Sequence, residues 1–267
     1  MAKLKDFHYA QIVHDTLCAK TDCMEKDGKI CMCRYIVCID DDVTSAIYAS
    51  KISALHKKTY GYTPVILCVG GKGLMSRWTH NMSEGAYLAY CCHKMGIPQN
   101  GTKVLDKGKN TGDNIKAIAK QVGDSKGNVL FVVTKRLSLR LNLSMQKQAP
   151  DINARYFVID ETVFEACKWH NGKRLGGGEM MLHELASILN RCDAYSGTFQ
   201  VPVPFEVSSE VREAADYLAK NYRLKLPKKN LRSVLQFIRL LIAIKRNKVR
   251  MHEELIQTIK FEKYRPL

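Results

Sequence analysis

Absences narrow the field first. The 267-residue chain contains no Gly-x-x-x-x-Gly-Lys-Ser/Thr, no Gly-x-Gly-x-x-Gly, no Gly-x-Ser-x-Gly and no His-Glu-x-x-His. That removes the standard phosphate loop, the dinucleotide fingerprint, the hydrolase elbow and the zinc-protease helix. Long hydrophobic runs are missing too. The longest in the C-terminal part, 240–244, is far short of the roughly 20 residues that a membrane span needs, and no charged-then-apolar leader is seen. A soluble, cytoplasmic protein with no membrane partner is expected. Acidic residues are scarce, with 26 Asp and Glu against 42 Lys and Arg and a formal net charge of +16. From Ser208 onward there are 15 Lys/Arg against 6 Asp/Glu. Such an excess points to an anionic partner or serves solubility.

Ten cysteines are present, yet no Cys-x-x-Cys, and Cys31-x-Cys33 is too cramped for a usual zinc knuckle. Without a secretory signal they are read as small buried hydrophobes and not as a disulfide framework. Zinc held by the first cluster (Cys18, Cys23, Cys31, Cys33, Cys38) stands as the alternative, and no metal is assigned.

What is there is an alternation. With 46% hydrophobic residues the chain can bury a sizeable core. An amphipathic helix is expected over 6–20, then a continuous apolar run at 35–39 ending in Asp40-Asp41-Asp42. Continuous apolar runs suit parallel strands buried on both faces. A helix follows over 43–56. The second strand, 64–69, runs into Gly70-Gly71-Lys72-Gly73, and Ser83-Glu84 opens a helix that Gly96-Ile97-Pro98 stops. A short third strand containing Val104 and Leu105 leads into the turn Asp106-Lys-Gly-Lys-Asn110-Thr111-Gly-Asp-Asn114. Ile115, Ile118, Ala119 and Val122 then recur at helical spacing, with Asn110 or Thr111 able to cap the helix. The fourth strand, 128–133, ends at Thr134-Lys135-Arg136, a helix runs to Gln148, and 154–159 makes the fifth. From Met180 onward the stripes are purely helical: Met181, Leu185, Ile188 and Cys192; Val211, Ala215 and Leu218; and Leu231, Val234, Leu235, Ile238, Leu241 and Ile242.

This order predicts a Rossmann-like three-layer α/β fold with a mostly parallel sheet of about five strands, plus a C-terminal helical subdomain. Boundaries fall at 1–30 (an N-terminal helix and connection), 31–175 (the ligand-binding α/β domain) and 176–267 (the basic helical subdomain), with 171–178 as the hinge. In parallel sheets ligands bind at the carboxyl ends of strands. Four polar strand ends would then form one cleft. Gly70 and Gly71 let backbone N–H groups approach a phosphate or carboxylate. Asp40 or Asp41 can accept hydrogen bonds from a ribose or an amino group, and Arg136 and Arg140 can pair with an anion. Each group has a plainer reading: a tight turn, a solvated helix start, a surface arginine. His80 and His93 are the histidines nearest the cleft, and no catalytic residue stands out.

The order of segments resembles the YdcF/SanA/ElyC-like family. The resemblance is carried by the first strand with its polar end, Gly70-Gly71 after the second, Ser83-Glu84 opening a helix closed by Gly96-Ile97-Pro98, Asn110-Thr111-x-x-Asn114 after a strand bearing Asp106, and Val132-Val133-Thr134 before a basic helix start. It covers roughly 30–160, and the helical C-terminus favours the cytoplasmic YdcF branch. The resemblance implies S-adenosylmethionine as cofactor or ligand, without an established reaction. By position it implies Asp40, Gly70, Gly71, Glu84, Asn110, Thr111, Asn114, Thr134 and Arg140 as the ligand-lining residues. Many members carry a His shortly after the Val-Thr strand end, where this chain reads Lys135-Arg136-Leu137-Ser138-Leu139-Arg140.

Three functions follow as expectations. The first is binding of S-adenosylmethionine or a related nucleotide-type ligand. The second is a hydrolase or transferase acting on a phosphorylated or pyrophosphate-linked metabolite. The third is a nucleic-acid or protein surface on the basic C-terminal helices around Lys245, Arg246, Lys248 and Arg250, where no aromatic platforms interleave.

Overall fold

The strands of this chain are apolar at successive positions, and the fold buries both of their faces. A computed structural model describes residues 4–17, 22–24, 29–39, 43–72, 82–123, 127–159, 182 and 185–222. Asp40, Asp41, Gly73, His80, the 171–178 hinge, the third helical stripe and the basic cluster at 245–250 lie outside the described residues. In chain order the elements are α1 (Leu4–Thr16), β1 (Cys33–Cys38), α2 (Val43–Tyr60), β2 (Val65–Val69), α3 (Glu84–Lys94), β3 (Thr102–Leu105), α4 (Thr111–Val122), β4 (Asn128–Thr134), α5 (Lys135–Gln148), β5 (Ala154–Ile159), α6 (Ile188–Tyr195) and α7 (Ser209–Tyr222).

The five strands form one sheet in the order β3-β2-β1-β4-β5, and every pairing is parallel. This is the Rossmann-like α/β arrangement expected from the alternation of strands and helices. Alternate residues of each strand enter opposite cores. Ile36, Cys38, Ile66, Cys68, Leu130 and Val132 meet α2 and α3 on one face. Val37, Leu67, Val69, Phe131 and Val133 meet α4 and α5 on the other. Fully burying an aliphatic or phenylalanine side chain contributes about 1.5–3 kcal/mol, so the two faces hold the sheet between its helices. Helices linking β1 to β2 to β3 lie on one face, and those linking β3 to β4 to β5 on the other. The reversal falls between β1 and β4.

A third core lies outside the sheet. Ala10, Val13 and Leu17 of the N-terminal segment pack with Leu139 and Leu143 of α5, Leu189 of α6, and Val211, Ala214 and Leu218 of α7. Asp6 anchors this layer: it is 3% exposed and accepts hydrogen bonds from the hydroxyls of Tyr217, at 2.7 Å, and Tyr222. At the start of α7 the Ser208 hydroxyl accepts from Val211 N. The outer side of β5 is occupied by Asp22. Its backbone N–H donates to Tyr156 O at 3.0 Å, and its carboxylate accepts from Tyr156 N.

The eight described cysteines are buried and form no disulfide. Cys38 and Cys68 are register partners on adjacent strands and face Cys92 of α3 in the same core. Hydrogen bonding to Cys92 and burial both push the Cys38 and Cys68 thiols up. Among the described residues no cluster of three or more His, Cys, Asp or Glu could hold a metal ion.

Candidate functional site

Because all five strands run the same way, their carboxyl ends share one edge of the sheet. On that edge, β2 and β3 end in two turns that touch. Gly70 leaves β2 with its N–H still donating to Leu105 O of β3 at 3.0 Å. Its φ of +143° is one that L side chains rarely adopt, and a Cβ there would stand 2.8 Å from the Cβ of Glu84. Gly71 lies so close to the Gly108 carbonyl that a Cβ would collide with it. The two glycines therefore let the β2 turn lie directly against the β3 turn and the start of α3. Glu84 N donates to Gly71 O at 3.1 Å and Gly85 N to Gly70 O at 2.8 Å, which joins the helix start to the strand end.

The helix starts are built from side chains that the sequence makes recognisable. The Ser83 hydroxyl accepts from Ala86 N at 3.1 Å and points its own hydrogen at Asp106 Oδ2, 3.3 Å away. Asn110 caps α4: its Oδ1 accepts from Asp113 N at 2.9 Å. The Asp113 carboxylate in turn accepts from Lys109 N at 3.1 Å, one residue before the cap, and from the Asn110 amide. Thr111 is the first residue of that helix and is partly buried. Asn114 is 8% exposed and lies beneath the turn, its Oδ1 against Gly108 and without a hydrogen bond. Asn110 and Asn114 thus shape the turn.

Between the two strand ends opens a cleft of about 520 Å³ lined by Lys72, Met82, Ser83, Ala86 and Asp106. Gly70, Gly71 and Glu84 adjoin these residues in the chain and hold the two strand ends together through the contacts above. Lys72, Ser83 and Asp106 were not singled out by the sequence as site residues. The signal that could have found them was the position of each beside a strand end or helix start.

Thr134, Arg136 and Arg140 belong elsewhere on the same edge. β3 and β4 are three ladder spacings apart, about 14 Å, with the end of β1 between β2 and β4. Thr134 is fully buried and Arg136 is 7% exposed, facing α1. Burial, then Lys135, push the His14 imidazole down to about 4, and Arg136 adds a smaller effect in the same direction. Lys135 Nζ pairs with Asp15 Oδ1 of α1 at 3.0 Å. Arg140, one turn along α5, brings its charge to Cys192 of α6, whose thiol burial pushes up to about 11. His93 closes α3 at the opposite edge, its Nε2 2.8 Å from Thr102 Oγ1.

Two places on the edge therefore qualify as binding sites. The reversal of strand order between β1 and β4 is where open α/β sheets usually hold ligands; the residues that follow β1 there, 40–42, lie outside the described residues. The open cleft between β2 and β3 is lined by described residues, and it carries more weight here. No family model matches this chain, and no curated protein does.

Proposed function

We propose that the carboxyl edge of the sheet binds a nucleotide-type small molecule, with S-adenosylmethionine among the candidates, in the cleft between β2 and β3. One observation carries this reading: beside the close-packed glycine turn, a helix start (Ser83, Ala86), the Asp106 carboxylate and the Lys72 ammonium line an open cleft of about 520 Å³. That volume lies within the range of small-molecule sites, about 300–1,000 Å³. Thermal midpoint measurements with S-adenosylmethionine, S-adenosylhomocysteine, nucleotides, sugar nucleotides and pyrophosphate test it, since a ligand of the folded state raises the midpoint in proportion to saturation. A shift abolished by Gly71→Ala, with the unliganded protein still folded, supports the cleft. A panel with no shift removes the reading.

A second reading is favoured by the lysine that lines the cleft and by those of the turn that follows Asp106. Lys72, Lys107 and Lys109 are exposed, and no ion pair engages them among the described residues. They suit a phosphorylated or pyrophosphate-linked metabolite, turned over by a hydrolase or transferase with an Asp or Glu as base. Turnover of a generic phosphoester that is lost in Asp41→Ala or Glu84→Ala would establish it; a broad panel at background would remove it.

A further inference from the structure

We propose that Asp106 reads the vicinal hydroxyls of a ribose, so that the cleft takes ribonucleosides and discriminates against their 2′-deoxy forms; this rests on the nucleotide-type reading above. β2, α3 and β3 make one parallel βαβ unit. A glycine turn leaves the first strand, the helix starts against that turn, and the neighbouring strand ends in a carboxylate. In dinucleotide-binding units these three parts divide the ligand among themselves. Backbone groups at the turn and helix start face phosphate, and the acid at the next strand end accepts from ribose hydroxyls. The connection between Gly71 and Ser83 is too long for the sequence fingerprint, and the N–H groups of Gly70, Glu84, Gly85 and Ala86 already donate within the protein, so the likeness lies in the placing of the acid at the end of the neighbouring strand.

Ser83 fixes the acid for this task. Its hydroxyl donates to Asp106 Oδ2 at 3.3 Å while accepting from Ala86 N, so the carboxylate is held against the cleft wall. Asp106 is exposed and lines the cleft, and Oδ1 makes no hydrogen bond among the described residues. A carboxylate is acceptor-only and can take two donors side by side, which is what a vicinal diol offers. The lysines sharpen the point. Beside Lys72, Lys107 and Lys109 a carboxylate weakens attraction for a purely anionic ligand. It becomes useful when the ligand brings hydroxyl donors together with its negative charge.

Calorimetric titration of the full chain tests this with adenosine, ADP and S-adenosylhomocysteine, each against its 2′-deoxy form. Hydrogen bonds to a charged group predict that the ribo form binds about tenfold tighter or more. In Asp106→Asn that ratio should fall close to one, mainly through weaker binding of the ribo form. Equal binding of ribo and deoxy forms by the wild type, or an unchanged ratio in Asp106→Asn, overturns the role of Asp106 and leaves the cleft reading standing. Failure of all three ribo forms to bind overturns the cleft reading and this inference with it. Should Asp106→Asn not fold, Asp106→Ser at the same exposed position gives the same readout.

Discussion

The ends of β2 and β4 have the same local design, a strand running into a helix start on one sheet edge, and the molecule treats them differently. At β2 the start of α3 is left beside an open cleft. Its first turn carries an acid, Glu84, and its cap serine reaches a carboxylate on the next strand. At β4 the first turn of α5 has Lys135 and Arg136 and no acid, an unfavourable arrangement at the positive end of a helix dipole. Helix α1 supplies what is missing: Asp15 pairs with Lys135, and the buried Arg136 acts electrostatically on His14 of the same helix. A helix start on this edge can thus be completed by another element, as at β4, or stand beside an open cleft, as at β2. The difference lies in whether another element covers it.

The strongest way to break the contrast is to loosen α1. Asp6→Ala removes two charge-assisted hydrogen bonds from a buried acceptor, and urea unfolding should show a loss of about 3 kcal/mol. Hydrogen exchange should then quicken in the first turn of α5 and not in the first turn of α3. Next in size is Gly71→Ala at the open end. The added methyl meets the Gly108 carbonyl, a backbone atom that cannot swing away, and overpacking of this kind costs about 1–3 kcal/mol.

Acid should weaken the covered end selectively. His14 has a folded-state pKa of about 4 against 6.5 for the free side chain, because burial disfavours its charged form. Between those values the unfolded chain binds a proton that the folded chain does not, so stability falls as pH drops from 6.5 toward 4. The loss between pH 7 and 5.5 should be about 1 kcal/mol, and denaturation curves of His14→Gln should lack it. The smallest effect belongs to Lys135→Ala. Its partner Asp15 is about half exposed, with side-chain exposures of 21% and 52% for the pair, so about 0.2–1 kcal/mol should be lost. The same change removes a charge that depresses His14, so an NMR titration should find the His14 pKa raised.

Much of the sheet was legible because local patterns encode it. The fifth strand occupies the residues where its apolar run begins and ends, and Asn110 caps α4 through the hydrogen bond its position suggests. The third strand extends to Thr102, two residues before the apolar pair that marks it, since an edge strand needs no buried side chains on both faces. Helix α1 ends at Thr16, short of the expected 20, and α2 runs on to Tyr60. Other features were not legible because they join residues far apart in sequence. Asp6 meets Tyr217, 211 positions away, and no periodicity reports such a pair. The cleft residues were hidden for a related reason: Ser83 and Asp106 become neighbours only once β2 and β3 are paired. The strand order, and with it the separation of Arg136 from the glycine turns, likewise depends on pairing that composition and spacing do not record.

Asp22 gives the sheet a direction of growth. By occupying the outer groups of Tyr156 with its own N–H and carboxylate, it ends hydrogen-bonded extension on the β5 side with a single residue. The β3 side has no strand beside it among the described residues and is guarded instead by its shortness and by exposed Lys103, a charge that discourages edge-to-edge pairing. Among the described residues, the edge left open to a further strand is the one next to the cleft. Accretion at that margin would place foreign backbone beside Asp106, so among the described residues the flank that holds the candidate cleft is the one left open to a longer ladder.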